Sequence, residues 1–425
     1  MKGLRLIQEA DIKDKLVLVR VDHNVVKKGK IKDPYRIECT FATLYEIAKK
    51  GARPILMTHI GRPRDKKTGK ITCSSNASVL PIVQYMQKRL PVEIRVPEFS
   101  IDPDRGIIHI DDSIKEHLKE LKSGKIDMIY LPNTRWFQGE EAKGPEREIF
   151  ARELASLADV YINDAFGSWQ PHVSTYDVAR LLPSYAGIFM QKELSHLDLV
   201  LSPKRPFVAV IAGAKYDTKI GPLKALYEKV DALILGGVIY NTFICAKYGL
   251  KIKGVPEEDI ALAKELVEMD KHNKKIIEMK RIVEADTLDG KEGGRCREID
   301  MSELLKRGSS SYIVDISPQS FNIPKIKDIF SSASTIFVNA VMGLMPWFYE
   351  GSYAIYDLIS QNSSAFKLFA GGDTLQALKE LCPRIYLKGL DNPEEYYYFT
   401  GGGSVLKAIE EGSPLGLKPV QALLS

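Results

Sequence analysis

Short apolar runs rich in β-branched residues recur along this chain, and most end in glycine or polar residues. They lie at 16–21, 54–58, 128–131 and 160–162, then at 207–212, 231–235, 312–316, 335–339 and 366–370. An apolar run of that length, bounded by turn residues, reads as a strand buried on both faces. Stretches with helical spacing separate the runs. Ile37, Phe41, Leu44, Ile47 and Ala48 share one helical face, and Gly51 stops it. Further helices are expected at 75–90, from Pro145 to before Asp159, and at 186–201. Shorter strands are expected at 92–96 and 107–110, and the polar segment 271–300 carries no clear period. Strands alternating with helices predict an α/β protein with mainly parallel sheets covered by helices. At 425 residues the chain exceeds what one core usually serves, so two domains are expected, joined at the helix 186–201.

Composition excludes several classes. A formal net charge of +5 is small for this length, which argues against a general nucleic-acid binder and suits small anionic substrates. The five cysteines are scattered and form no CxxC pair, so neither a disulfide framework nor a zinc site is expected. The first residues lack a signal-peptide core, and no apolar run approaches membrane-spanning length. A cytoplasmic protein without membrane contact is the expectation.

Chemistry concentrates where strands end. Asp22 and Asn24 follow the first run, His59 and Arg62 the second, and Arg135 the 128–131 run. In open α/β sheets ligands bind outside the carboxyl ends of strands, which would gather these residues on one rim. In the second half Gly213, Lys215 and Lys219 lie between a strand and a helix. Backbone N–H groups and a helix dipole there favour an anion, and lysines add point charge for a phosphate chain. The stretch lacks the second glycine and the terminal hydroxyl residue of a Walker A loop. Gly371-Gly372-Asp373-Thr374 and Gly401-Gly402-Gly403-Ser404 each precede a helix, where glycine lets amides approach a phosphate. Asp373 could hold Mg²⁺ directly or through water. A dinucleotide fold would want GxGxxG after its first strand, and no glycine cluster here has that form.

Taken in order, these motifs resemble phosphoglycerate kinase nearly end to end. They are Arg20-Val-Asp22-His-Asn24, Arg36, His59-Ile-Gly-Arg62-Pro63, Asn133-Thr-Arg135-Trp-Phe-Gln-Gly-Glu140, Asn163-Asp164-Ala-Phe-Gly167, Gly213-Ala-Lys215, Lys219, Gly371-Gly372-Asp373-Thr374 and Gly401-Gly402-Gly403. The resemblance implies two Rossmann-like domains facing a cleft. Residues 1–183 would bind phosphoglycerate, 184–203 would form the inter-domain helix and hinge, 204–413 would bind nucleotide, and 414–425 would return to the first domain. Asp22, Asn24, Arg36, His59, Arg62 and Arg135 match phosphoglycerate contacts. Gly213, Lys215, Lys219, Gly237, Asn339, Gly371, Gly372, Asp373 and Thr374 match nucleotide positions, and Asp373 the metal-linked carboxylate. Lys215, Arg36, Gly372 and Gly402 would serve phosphoryl transfer itself. Mg²⁺ with ADP or ATP, a monomer and a glycolytic and gluconeogenic role are further implications.

The chain departs from the family pattern at four places. Ser168-Trp-Gln170-Pro171-His172 is one residue shorter than usual and lacks the arginine of a His-Arg pair. Tyr216-Asp217-Thr218 replaces Val-Ser-Asp, Asn339-Ala340-Val341-Met342-Gly343 replaces Asn-Gly-Pro-Met-Gly, and Pro346 stands where a ribose-binding glutamate is usual. These changes touch one phosphoglycerate anchor and the ribose contact. The resemblance implies transfer between an acyl phosphate and ADP, which needs alignment and charge stabilisation rather than a general base. Closure of the domains would exclude water. A kinase for another small carboxylate or phospho-acid, and a non-catalytic phospholigand-binding homologue, are the alternatives.

Overall fold

The structure is a computed structural model and describes residues 3–216 and 219–424. Two compact units emerge, one running to Ser195 and regaining the chain from Pro414, the other comprising His196–Ser413. The boundary falls inside the helix Ile188–Leu201. In the first unit the returning tail is tied by the Arg5 N–H, which donates to the Leu423 carbonyl at 3.0 Å, and by a bridge between Leu4 and Leu424.

The first unit is built on β1 (Leu16–Val21), β2 (Arg53–Met57), β3 (Ile94–Arg95), β4 (Met128–Tyr130), β5 (Val160–Asp164) and β6 (Ser184–Ala186). They form one parallel sheet in the order β6-β5-β1-β2-β4-β3. All six residues of β1 are buried, because helices cover both faces of a parallel sheet. The core gathers Val17, Val19 and Val21 of β1 with Leu44 and Ile47 from the helix Phe41–Lys49 and Ile82 and Met86 from Leu80–Arg89.

The second unit repeats the plan with β7 (Phe207–Gly213), β8 (Ala232–Gly236), β9 (Ile276–Ile277), β10 (Thr335–Asn339), β11 (Phe366–Ala370) and β12 (Tyr396–Phe399). These strands are also all parallel, in the order β9-β8-β7-β10-β11-β12. In each sheet the strand order reverses beside the first strand, at β1/β5 and at β7/β10. Such switch points leave a crevice at the carboxyl ends of the strands.

Several elements differ from the sequence reading. The helix expected from Arg36 to Gly51 is two helices, Tyr35–Cys39 and Phe41–Lys49. At the break, buried Thr40 turns its hydroxyl back to the Ile37 carbonyl, at 2.8 Å, which competes with continued helix. Of the run 107–110 only Gly106–Ile107 is extended, in a hairpin with Ile101–Asp102 outside the sheet. The 312–316 run forms a strand, Tyr312–Ile316, in a separate antiparallel sheet with Arg281–Ala285 and Cys296–Asp300. Most of Cys296–Asp300 is exposed, so this sheet has the polar composition that concealed it. The edge strands β6, β9 and β12 are too short to stand out by period. The helix Gly237–Tyr248 is apolar almost all round and offers no stripe to read. Among the described residues, no helix is long and apolar enough to cross a membrane.

One charge sits inside the second sheet. Lys367 of β11 is fully buried, and its ammonium donates to Glu395 Oε1 at 2.6 Å and to the Ala365 carbonyl at 3.1 Å. Glu395 is also held by Lys388 at 3.1 Å and by the Asn392 amide at 2.8 Å. Glu395→Ala strands the buried ammonium and should cost about 3–5 kcal/mol. Chemical denaturation of the two proteins measures this; an unchanged midpoint would show that Lys367 finds other partners.

Candidate functional site

At the β1/β5 switch point, Asp22, His23 and Asn24 follow β1. Asp22 is buried and forms an ion pair with Arg36 Nη1 at 3.2 Å, which anchors the guanidinium at the start of the helix Tyr35–Cys39. His59 follows β2. Its Nδ1 lies 2.8 Å from Arg20 Nη2, and its Nε2 lies 3.3 Å from Asn24 Nδ2. Asn24 Oδ1 in turn accepts from the Gly61 N–H at 2.9 Å. Arg135 donates to the Gly61 carbonyl at 2.6 Å and pairs with Glu141 at 3.1 Å. Exposed Arg62 adds its field to Arg135. The structure therefore brings Asp22, Asn24, Arg36, His59, Arg62 and Arg135 together on one rim.

Arginines act on both histidines of this rim. Burial, then Arg20 and Arg135, holds the His59 pKa well below its ordinary value, so the ring is neutral. Burial also lowers His172 to about 4, with Glu141 opposing and Arg135 and Arg20 assisting. His172 Nε2 stands 3.8 Å from Glu141, the same carboxylate that Arg135 holds. The shortened segment 168–172 thus places a neutral imidazole beside Arg135. Arg147 lies close behind, with Nη2 donating to the Pro171 carbonyl and pairing with Asp177, both at 2.5 Å.

At the β7/β10 switch point Gly213 ends β7 and bridges to Gly237. Gly237 has φ +59°, and a Cβ there would lie 3.0 Å from the Gly213 carbonyl oxygen. Lys219 folds back over this turn and donates to the Ala212 carbonyl at 2.7 Å and to Asn339 Oδ1 at 2.8 Å. Burial lowers its pKa to about 8, and Asp373 opposes the shift. Asn339 Nδ2 donates to the Ala370 carbonyl at 2.6 Å, joining the end of β10 to the end of β11. Gly371 has φ +104°, and a Cβ on Gly402 would lie 2.7 Å from the Gly371 Cα. These glycines therefore let the starts of the helices Gly372–Leu381 and Gly402–Glu410 converge. Asp373 and buried Thr374 lie in the first turn of the former helix. Lys215 is exposed, and among the described residues no contact ties it to this group. Of the altered loop, Asp217 and Thr218 lie outside the described residues.

Four buried groups of the first unit carry no role in the sequence reading: Arg20, His23 and Glu140, which appear there only within motifs, and Ser174. All lie at or below 1% exposure. The available signal was Arg20 itself, since a charge inside a doubly buried strand needs partners.

The family model for phosphoglycerate kinase matches residues 7–412. The chain belongs to the phosphoglycerate kinase family. It is 33% identical over 412 residues to the phosphoglycerate kinase of Dictyoglomus turgidum, covering 95% of each chain. It is 33% identical over 434 residues to that of Chlamydia trachomatis serovar D, covering 98% of this chain and 99% of the other. Two solved phosphoglycerate kinases share the fold. That of Coxiella burnetii is 24% identical with a TM-score of 0.73, covering 99% of this chain and 98% of its own. That of Pyrococcus horikoshii is 22% identical with a TM-score of 0.75, covering 99% of both. Phosphoglycerate kinases are phosphotransferases with a carboxyl group as acceptor, and this chain is an enzyme of that class.

Titration of the buried groups should be visible in stability. His23 has Nδ1 2.9 Å from the Tyr130 hydroxyl and Nε2 3.1 Å from Thr40 Oγ1, and burial, then Arg20 and Arg36, lowers its pKa from 6.5 to about 3. As pH falls through this interval the unfolded chain takes up a proton that the folded chain refuses, so stability is lost. Asp164 acts oppositely. Burial raises its pKa from 3.8 to about 7, so the folded chain takes up the proton first and gains stability as pH falls. Between about pH 6.5 and 4, His23→Gln should make stability fall less steeply on acidification and Asp164→Asn more steeply. Each change reaches at most about 1.4 kcal/mol per pH unit. Denaturation midpoints across this range check both signs.

Proposed function

We infer that this chain transfers a phosphoryl group reversibly between 1,3-bisphosphoglycerate and ADP, giving 3-phosphoglycerate and ATP in glycolysis and gluconeogenesis. The observation that carries the reading is the separation of two kinds of anion site at two switch points. The first unit presents the guanidinium and imidazole rim, which suits a small acid with fixed charges. The second presents glycine-lined helix starts with Lys219, which suits a phosphate chain approached by backbone amides.

In this reading Asp22, Asn24, Arg36, His59, Arg62 and Arg135 hold the phosphoglycerate. Asp22 acts by orienting Arg36. Gly213, Lys215, Lys219, Gly237, Asn339, Gly371, Gly372, Asp373 and Thr374 take the nucleotide. The ADP oxygen that attacks is already ionised, so no residue need remove a proton from it. What the chain supplies is placement and positive charge. Lys215, Arg36 and the amides of Gly372 and Gly402 meet charge on the equatorial oxygens of the transferred group. Exposed Lys215 can swing to the group in transit, whereas Lys219 is held in place by Asn339.

Asp373 fits a Mg²⁺ ion that arrives with the nucleotide. Such an ion takes one or two carboxylates and completes its shell with phosphates and water, and Asp373 stands exposed in a first helical turn. When bound, the ion neutralises phosphate charge. The described cysteines are all free, which suits the reducing cytoplasm, and we place the enzyme there as a monomer.

A coupled assay with 3-phosphoglycerate and Mg-ATP tests the reading directly. Lys215→Ala should lower turnover by at least about a hundredfold while phosphoglycerate binding changes little. Arg62→Ala should weaken phosphoglycerate binding, measured by calorimetry. Near-normal turnover in the first, or unchanged binding in the second, would remove that residue from its role.

A further inference from the structure

We propose that Arg20, Ser174 and Glu140 form a buried positioning relay that holds the His59 ring as its Nε2–H tautomer. The relay thereby aims two N–H donors, one from His59 and one from Asn24, at a single oxyanion oxygen of the substrate. This rests on the reading of the rim as the phosphoglycerate site.

Arg20 is 1% exposed and lies within β1, where a charge is costly unless matched. A guanidinium has N–H donors and no acceptor. Arg20 Nη1 donates to the Val21 carbonyl at 2.5 Å and Nε to Ser174 Oγ at 2.9 Å, and Nη2 reaches Ser168 Oγ at 3.5 Å. Ser174 has a single hydroxyl proton, which it gives to Glu140 Oε1 at 2.5 Å, while its backbone N–H donates to Glu140 Oε2 at 2.9 Å. Glu140 is fully buried. The buried positive and negative charges thus meet through one hydroxyl, and the direction of each hydrogen bond is forced.

That direction decides the state of His59. Arg20 Nη2 lies 2.8 Å from His59 Nδ1 and can only donate, so Nδ1 must present a lone pair. In a neutral ring the proton is then on Nε2. Asn24 is oriented independently, because its Oδ1 accepts from the Gly61 N–H and its amide nitrogen must face the ring. Asn24 Nδ2 and His59 Nε2 therefore stand 3.3 Å apart as two donors. An oxygen carrying negative charge satisfies both at once. The other charged and titratable groups acting on His59 are Arg36, Arg135 and His172. The first two are cationic, which opposes a charged ring and favours an incoming anion.

Nitrogen-15 NMR of histidine-labelled, ligand-free full chain tests the state directly. The Nε2–H tautomer of a neutral ring is expected at pH 7. An Nδ1–H tautomer or an imidazolium at pH 7 overturns the proposal, whether or not the chain turns over phosphoglycerate. Failure of the coupled assay with wild-type enzyme would instead sink the functional reading. In Ser174→Ala the tautomer should become mixed and the phosphoglycerate KM should rise about tenfold, with the Mg-ATP KM within about twofold of wild type. An unchanged phosphoglycerate KM, or equal rises in both KM values, overturns the positioning role. Should Ser174→Ala fail to fold, Arg20→Lys keeps the charge but lacks the guanidinium fork that reaches both Ser174 and His59. The same readouts and outcomes then apply to it.

Discussion

A parallel sheet covered on both faces leaves no wet side for a polar group. In β1 and β7 that rule pushes hydrogen-bonding and charged side chains to the strand ends. The exceptions show how strict it is. Arg20 and Lys367 are the charges inside β1 and β11, and each is matched by a buried carboxylate, Glu140 through Ser174 and Glu395 directly. Without those partners neither strand could hold its charge in the sheet.

From this constraint follows the place of chemistry. Both sheets reverse their strand order beside the first strand, so crevices open at β1/β5 and β7/β10. Polar residues expelled from the strands gather there. In the first unit they include three arginines, and Asp22, Gly61 and Glu141 hold Arg36, Asn24 and Arg135. In the second, glycines at 213, 237, 371 and 402 remove side chains where backbones must meet, and in the proposed reading amides are the recognition surface. In the proposed reading the two crevices bind anions differently, one with long side chains and one with main chain.

The segment 168–172 brings no arginine, yet it delivers Ser168 and leads directly to Ser174, two hydroxyls against Arg20. His172 from the same segment shares Glu141 with Arg135. Positive charge lost at this edge of the rim leaves the buried support beneath His59 in place. At 346 the proline brings no carboxylate, and the nearby Glu350 is engaged by Lys291.

Strand runs such as 16–21, 207–212 and 366–370, and the polar residues after them, were legible because burial on both faces and turn chemistry are written locally. The ordered motifs from Arg20 to Gly403 likewise carried the family. Edge strands such as Tyr396–Phe399 and the separate antiparallel sheet were not legible, since each depends on distant partners, and the break at Thr40 turns on one hydroxyl bond that apolar spacing does not display. The same holds within the site: that Asp22 grips Arg36, that Lys219 bonds Asn339, and that Glu140 answers Arg20 are facts of packing between residues far apart in the chain. Local sequence determines which backbone states and which chemical groups are available. Only the tertiary structure decides which buried charge meets which, because a charge removed from water must be satisfied by whatever the fold places beside it.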